Sequence, residues 1–514
     1  MKILNKILFT GILLLAVFLR IWNLGNIPIS LNWDEVAIGY NAYSILKTGM
    51  DEHGVRFPIV LESFGDFKPA LYSYLLVPVL MVFDLGSFAV RLPSAVFGII
   101  GVIFSYFLTK ELLKLRGNYK NAPIVSLTVM FLLAVSPWHI QFSRAAFEAN
   151  IATTFFIIGF WAFLLGLKRP IFLFLSAASL GFSLHAYHST RLFVPLFLLF
   201  LIFIFRENLL AYGKKLLTPA IIGFLFLIPF FYFALTGRAE MIFGRASQTT
   251  VFSNSKSLNE AVYKIGEGYL KHVSLKWLFV TGDNDRHHAP SSGILYIWEL
   301  PFFILGILIL LRDKSKFKLV ILSWILLGLV PSSLTTEVPH AIRTLILIPS
   351  LQIITALGVV KVALTVWKKK ILLLPAFFYI LFIGFGFILY FHLYFYQMNH
   401  EYSRFWQFGY SDAVSYVRQN DQKYKKIVVS NKLEQPYIFF LFFLRYDPKL
   451  YLSEGGTRKT KEQAFGKYEF RNINWKEEVH DGSVLNILSP SDERSEPIHT
   501  IRYFDGGDAF IIAE

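Results

Sequence analysis

The chain has 514 residues, of which 55% are hydrophobic, 17% are aromatic and only 17% are charged, and its mean hydropathy is +0.51. This composition excludes a soluble globular protein and indicates a polytopic α-helical membrane protein. The net charge of +15 comes from short basic clusters between apolar spans, so we expect no nucleic acid partner. Cysteine is absent, which excludes disulfides, thiolate metal sites and a thiol nucleophile.

About eleven transmembrane helices are predicted, because one span needs about 20 mainly apolar residues. They cover residues 5–22, 88–110, 122–139, 149–167, 170–186, 191–206, 216–235, 293–311, 317–334, 342–362 and 371–395. Basic clusters occupy every second loop, for example Lys168 with Arg169 and Lys368 with Lys369. By the positive-inside rule, these loops and the N-terminus are expected in the cytoplasm of a cell-membrane protein.

The first outer loop, residues 23–87, contains two shorter apolar segments. Residues 36–46 have helical spacing of apolar and aromatic side chains, and residues 71–83 are too short to span comfortably. Both are expected to be helices lying at the membrane interface. The alternative, that 70–83 is a true span, would place every later basic cluster outside.

The C-terminal part is polar and predicts a separate domain. A helix at 411–419, a strand at 426–430, a helix near 435–444 and strands near 484–488 and 510–512 alternate as in a small α/β domain. The sequence therefore predicts a transmembrane domain at 1–395 and an α/β domain at 396–514. Eleven crossings from the inside would place the second domain outside.

An acidic pair, Asp34 and Glu35, follows the first apolar span within a few residues and is flanked by Trp33 and Tyr40. Acidic groups at a membrane surface are costly unless they are used. The alternative is that the pair begins a solvated amphipathic helix. Lys68 lies downstream in the same loop, which favours a reaction site.

The outer loops collect further charged and histidine side chains. These are Asp66, Arg91, His139, Arg144, Glu148, His185, His188, Arg191, Asp283, Asp285, Arg286, His287, His288, His340 and Arg343. A cationic, acid-bearing cavity suits a substrate with an anionic head and an apolar tail. Arginines at helix ends more often anchor a span by snorkelling. Asp283, Asp285, His287 and His288 could hold a divalent cation, but helix capping explains the two acids equally well. The cation therefore stays an open alternative, and no other cofactor is predicted.

Several of these residues belong to short motifs that follow one another along the chain. The motifs are Trp33-Asp34-Glu35, Asp66-Phe67-Lys68-Pro69, Arg91-Leu92-Pro93-Ser94, Ser136-Pro137-Trp138-His139 and Gly282-Asp283-Asn284, with the region of His340 and Arg343. Together they resemble the successive motifs of bacterial relatives of protein O-mannosyltransferases and the lipid A aminoarabinose transferase. These are membrane-embedded C-type glycosyltransferases of the family 39 kind.

The resemblance implies a C-type glycosyltransferase fold and inverting transfer of a sugar from a polyprenyl-phosphate donor to a protein, lipid or glycan acceptor. It implies that Asp34 takes the acceptor proton, that Glu35 completes the acidic pair and that Lys68 lies against the lipid phosphate. Glu148 falls where relatives often carry aspartate. All these motifs precede residue 396, so the C-terminal domain is expected to modulate acceptor choice or stability and not to carry the transfer chemistry.

The chemistry supports the same assignment independently. An inverting displacement at an anomeric carbon needs one base, and a departing phosphate needs positive charge. Asp34 supplies the base, and Lys68, Arg343, Arg286 and His287 are the candidate phosphate ligands. Two alternatives stay open: a flippase or transporter for lipid-linked saccharides, and an O-antigen ligase-like enzyme.

Overall fold

The computed structural model describes residues 3–117, 119–458, 460, 462–494 and 496–514. The chain divides into two compact units. Met1–Trp22 and Ser94–Leu393 form one, here called the membrane unit, and Asn23–Pro93 and Tyr394–Glu514 form the other, the mixed unit. The first outer loop therefore shares a unit with the C-terminal segment, whereas the sequence grouped it with residues 1–395.

The membrane unit is built from α-helices. They are Ile3–Ile21, Ser87–Lys114 (which begins in the mixed unit), Ala122–Val135, Pro137–Arg144, Glu148–Gly166, Phe172–Ala186, His188–Ile204, Arg206–Leu210, Leu217–Leu235, Glu240–Thr249, Leu258–His272, Leu300–Arg312, Lys316–Gly328, Val330–Ser333, Ser350–Lys368 and Leu373–His392. Among the described residues, seven helical segments are long and apolar enough to cross a membrane, or eight if one bent pair is a single span. Each predicted span overlaps a described helix, which confirms the polytopic helical architecture.

Two predicted spans begin too early. The span predicted at 342–362 is α-helical only from Ser350, after a short 3-10 helix at Leu345–Leu347. The span predicted at 293–311 becomes an α-helix at Leu300. Residues 341–349 are buried without forming a long helix, so their apolar character reflects burial in the protein and not a regular span.

The span predicted at 122–139 is broken at Pro137. Ala122–Val135 and Pro137–Arg144 meet at a bend of 55°. Pro137 has no N–H to give the Leu133 carbonyl, and the Trp138 N–H goes to the Ile294 carbonyl instead of Ala134. The fully buried Arg20 donates to both carbonyls, at 3.2 Å and 2.9 Å, so this charge inside the first helix stabilises the break.

The helices Leu300–Arg312 and Ser350–Lys368 pack backbone to backbone through two glycines. A Cβ on Gly306 would lie 1.9 Å from the Ile354 carbonyl oxygen, and one on Gly358 would lie 2.0 Å from the Phe302 carbonyl oxygen. Small residues that allow such close approach are typical of helix packing in membranes.

The mixed unit combines helices with two sheets. The helices are Trp33–Thr48, Leu71–Leu80, Met398–Glu401, Tyr410–Gln419, Pro436–Leu444 and Pro448–Ser453. The strands are β1 Val60–Ser63, β2 Asp66–Pro69, β3 Lys426–Ser430, β4 Gln463–Phe465, β5 Tyr468–Arg471, β6 Val484–Leu488, β7 His499–Arg502 and β8 Asp508–Ala513. The two predicted loop helices are confirmed as helices, and their position at a membrane interface stays a prediction.

The C-terminal sheet has the order β4-β5-β3-β6-β8-β7. Strand β3 is parallel to β5 and β6, and the remaining pairs are antiparallel. The α/β prediction is confirmed, and the predicted β3, β6 and β8 are present. Strands β4, β5 and β7 were missed because they are only three or four residues long and polar residues interrupt their apolar pattern.

The helix Trp33–Thr48 is enclosed by the rest of the mixed unit. Residues 35–42 are all buried, which excludes a solvated amphipathic helix here. A Cβ on Gly39 would lie 2.5 Å from the Phe442 ring, and the Tyr40 hydroxyl donates to the Tyr446 carbonyl at 3.2 Å. The helix that carries the acidic pair is therefore held against the C-terminal segment.

A buried carboxyl group, Glu52, joins the first loop to the same segment. Its oxygens accept hydrogen bonds from Asn41 at 2.9 Å and from the Thr457 hydroxyl at 2.7 Å. The Thr457 N–H also donates to the Glu52 carbonyl at 3.0 Å. Burial raises the pKa of Glu52, so the fold favours the protonated form.

Because the folded pKa of Glu52 is raised, its stabilising contribution is present at low pH and is lost as the pH rises through that pKa. We expect Glu52→Gln, which cannot ionise, to raise the melting temperature more at about pH 8 than at about pH 5. The melting temperature should rise by roughly 2–4 °C for each kcal/mol added to the free energy of unfolding, as expected for a unit of this size. Thermal unfolding of both proteins across this range measures it. The exposed Glu493→Gln is the control, and an equal difference at both pH values would contradict the prediction.

Candidate active site

The acidic pair lies in the first turn of the helix Trp33–Thr48. Asn32 caps this helix: its side-chain oxygen accepts the N–H groups of Asp34 at 2.9 Å and Glu35 at 3.1 Å. The Glu35 carboxylate accepts the Asn32 N–H in return at 3.1 Å, which completes a capping box. The remaining first-turn N–H, that of Trp33, donates to the side-chain oxygen of Gln407 at 2.8 Å.

A tight hairpin presents the lysine. Strands β1 and β2 are joined by Phe64 and Gly65, both with positive φ, at 56° and 74°, as in the type I′ turn that suits a two-residue hairpin. Lys68 on β2 forms an ion pair with Asp34 and lies 5.3 Å from the centre of the Phe64 ring. The structure thus brings together the predicted base and the predicted phosphate ligand.

The exposure of this pair suits a reaction site. The Asp34 side chain is 36% exposed and that of Lys68 is 15% exposed, so both can be reached from outside the protein. The Asp34 carboxylate faces the opposite charge of the Lys68 ammonium group. An incoming anion could exchange with Asp34 at the lysine, and the carboxylate would then be available to accept a proton.

Glu35 has different surroundings from Asp34. It is fully buried and is bound by the fully buried Arg91, at 3.0 Å from Nε and 3.2 Å from Nη2. Arg91 also donates to the carbonyls of Leu24 at 3.2 Å and Pro28 at 2.8 Å. The catalytic assignment of Glu35 stays a prediction, and its contacts favour positioning of the loop.

The interpretation of the helix-end arginines as snorkelling anchors is wrong for Arg91 and Arg144. Both are fully buried, and Arg144 donates to the Leu19 carbonyl at 2.9 Å. Arg191 is half-buried and donates to the Ile242 carbonyl at 2.7 Å. Arg91 and Arg144 supply donors to backbone carbonyls inside the protein, and these hydrogen bonds offset part of the cost of burying their charge.

The other predicted site residues belong to the membrane unit. Glu148 begins the helix Glu148–Gly166 and is half-buried. Arg343 is 8% exposed and binds the Thr335 hydroxyl at 2.7 Å and the Glu337 carboxylate at 2.9 Å. The Arg286 carbonyl accepts a hydrogen bond from Gln141 at 2.6 Å. Their catalytic and phosphate-binding roles stay predictions.

Asp283, His287 and His340 form a cluster that could hold a metal ion. Their ligand atoms lie within 4.8 Å of one another, and the Asp283 carboxylate accepts from His287 at 2.9 Å and from the Ala341 N–H at 2.7 Å. The sequence named Asp283 and His287 for this role but paired them with Asp285 and His288. Instead, Nδ1 of His288 donates to the Asn284 carbonyl at 3.0 Å. His340 comes from a loop 53 positions further along the chain than His287.

The backbone at His340 is fixed by another histidine. Burial lowers the pKa of His272 to about 4, so its ring is neutral. Its Nδ1 donates to the Gly268 carbonyl at 2.7 Å, and its other nitrogen accepts the His340 N–H at 3.1 Å. Two histidines and one carboxylate are the ligand set of many zinc sites with an open position.

We expect the purified protein to retain about one Zn²⁺ ion per chain after dialysis, because two imidazoles and a carboxylate suit this ion. The doubly substituted His287→Ala, His340→Ala protein should lose it. Elemental analysis measures the metal, and His499→Ala, at an exposed histidine of the mixed unit, is the control. Equal metal content in all three proteins would contradict a site at this cluster.

Comparison with solved structures identifies the fold as that of the C-type membrane glycosyltransferases. The chain is similar to ArnT from Cupriavidus metallidurans bound to undecaprenyl phosphate, with a TM-score of 0.58 and 13% identity over 99% of this chain and 97% of that one. The apo state of the same protein gives 0.55 and 14% identity over 94% and 93%. No protein-family model matches the sequence, and no curated protein matches it.

Proposed function

We propose that this protein is an inverting glycosyltransferase that moves a sugar from a polyprenyl-phosphate donor to an acceptor hydroxyl. The observation that carries the proposal is the accessible ion pair between Asp34 and Lys68. Inverting transfer needs one base for the acceptor and one cation for the departing phosphate, and the pair contains both. The fold supports the proposal, since ArnT with this fold was solved with undecaprenyl phosphate bound.

The proposed reaction proceeds in one displacement. The donor phosphate takes the place of Asp34 at Lys68, which frees the carboxylate. Asp34 then accepts the proton of the acceptor hydroxyl while the acceptor oxygen forms a bond to the anomeric carbon. The bond from that carbon to the phosphate oxygen breaks, and its electron pair leaves with polyprenyl phosphate. Lys68 stabilises the charge that grows on this phosphate.

The other predicted residues have supporting roles in this proposal. Glu35 positions the first loop through its ion pair with Arg91. Glu148 stays a candidate catalytic acid. Arg286 and Arg343 are proposed phosphate ligands, and His287 is proposed to act on the phosphate through the cation that it would hold with Asp283 and His340. We further propose that the reaction takes place on the outer face of the cell membrane. The basic clusters predict that every second loop is cytoplasmic, and the loops that carry the candidate site residues alternate with these loops. No nucleotide sugar is then required, since the donor sugar arrives on a lipid.

The decisive experiment compares lipid-linked sugars and surface glycans by mass analysis in cells with and without the gene. The donor that accumulates without the gene is then supplied to purified protein, and release of polyprenyl phosphate is measured. A glycosyltransferase releases polyprenyl phosphate as it transfers the sugar. A flippase would move the intact lipid-linked sugar between the leaflets of vesicles without releasing it, and that result would overturn the proposal.

A further inference from the structure

We infer that Gln407 is a positioning residue for Asp34, and this inference rests on the proposed role of Asp34 as the base. Gln407 lies after the last apolar helix, 374 residues from Trp33 in the sequence. Its side-chain oxygen accepts the Trp33 N–H at 2.8 Å. The contact fixes the residue immediately before Asp34.

The first turn of this helix is held by two side chains. Helix N-termini leave N–H groups without partners inside the helix. Asn32 accepts those of Asp34 and Glu35, as a local cap normally does. The Trp33 N–H is accepted by Gln407 from a distant part of the chain. The direction of the turn that carries Asp34 therefore depends on the C-terminal segment.

Gln407 is itself held in a defined orientation. It is 6% exposed, and its backbone is in the left-handed region with φ of 51°, where a residue other than glycine needs support from its surroundings. Its amide nitrogen donates to the Glu434 carboxylate at 3.2 Å. Because the amide nitrogen is used for this bond, the amide oxygen is directed at Trp33.

The neighbouring residue supports the same turn. Trp406 is fully buried, and its ring lies 5.9 Å from the guanidinium of Arg91, which binds Glu35. Consecutive residues of the C-terminal segment thus act on both sides of Asp34, one through Trp33 and one through Arg91. The C-terminal segment therefore contributes to the geometry of the reaction, which the sequence did not predict.

The first test is Gln407→Leu, which has a similar volume and no acceptor. A displacement of about 1 Å can slow a catalysed step by about a hundredfold. We expect single-turnover transfer to fall by roughly tenfold to a hundredfold, while binding of the polyprenyl-phosphate donor, which depends on Lys68, stays unchanged. Gln419→Leu, at an exposed glutamine of the same unit, should behave as the unmodified protein.

The second test separates positioning from general loss of folding. Gln407→Glu retains an acceptor oxygen but places two carboxylates together, so transfer should again slow. Adding Glu434→Gln exchanges the two groups: the amide at position 434 then donates to the carboxylate at position 407, which still accepts the Trp33 N–H. Transfer should therefore recover. A double variant as slow as Gln407→Glu, or a Gln407→Leu enzyme with normal turnover, would overturn the inference. If the Asp34→Asn protein were active, the proposed role of Asp34 as the base would be wrong. That result is distinct from normal turnover of Gln407→Leu, which would overturn only the inference about Gln407.

Discussion

Asp34→Asn should reduce turnover by roughly a hundredfold to ten-thousandfold, the usual contribution of a general base. Asparagine keeps the size of the side chain and can still accept hydrogen bonds, but it cannot take the acceptor proton. Donor binding should persist, because Lys68 is unchanged and no longer engaged by a carboxylate. Single-turnover transfer and donor-lipid binding, measured on the same preparation, distinguish these effects.

The matched control for this substitution is Asp84→Asn. Asp84 belongs to the same unit and is 84% exposed, in an ion pair with Arg445 at 3.1 Å, so its loss should leave transfer unchanged. Near-normal turnover of Asp34→Asn would remove Asp34 from the mechanism. It would also favour the ligase-like alternative, in which the chemistry lies in a later outer loop.

Lys68→Ala should weaken binding of the polyprenyl-phosphate donor by roughly tenfold to a hundredfold, the range for a charge-assisted hydrogen bond. It should also slow transfer, because the negative charge on the phosphate grows in the transition state. The two substitutions therefore differ in kind: one affects mainly the chemical step, and the other affects binding and the chemical step together.

Lys47→Ala is the control for the lysine. Lys47 lies on the same helix as Asp34 but is exposed at its far end, so donor binding should be unchanged. The assay titrates the donor lipid against each protein and then follows one turnover at saturation. Normal donor affinity in Lys68→Ala would show that another cation holds the phosphate, with Arg286 and Arg343 the next residues to substitute.

The pairing of Asp34 with Lys68 was predictable in part. The acids follow an apolar span and the lysine follows the acids, so the local sequence indicates a polar site at the edge of a membrane. The hairpin turn that brings Lys68 back to Asp34 was not predicted, because Phe64 is not a residue typical of positive φ. The different burial of Asp34 and Glu35 could not be predicted from the sequence either. Adjacent residues on a helix point in different directions, and only packing decides which of them is buried.

The candidate cation cluster was also predictable only in part. Asp283 and His287 lie only four residues apart in a turn, so their proximity is a local property of the chain. His340 joins them from a separate loop, and no spacing in the sequence relates the two. Arg20 is a similar case: the sequence shows a lone charge in an apolar helix, but its partners, the carbonyls of Leu133 and Ala134, lie in another helix.

The sequence by itself determined the class of the protein and the existence and order of most helices. Hydropathy and helical periodicity are local properties, and a membrane span must satisfy its backbone hydrogen bonds within itself. Only the tertiary structure decided that the first outer loop forms one unit with the C-terminal segment and that Gln407 accepts the Trp33 N–H. These contacts join residues hundreds of positions apart, and they depend on how the unit buries its apolar surface, for which a single sequence carries no local signal.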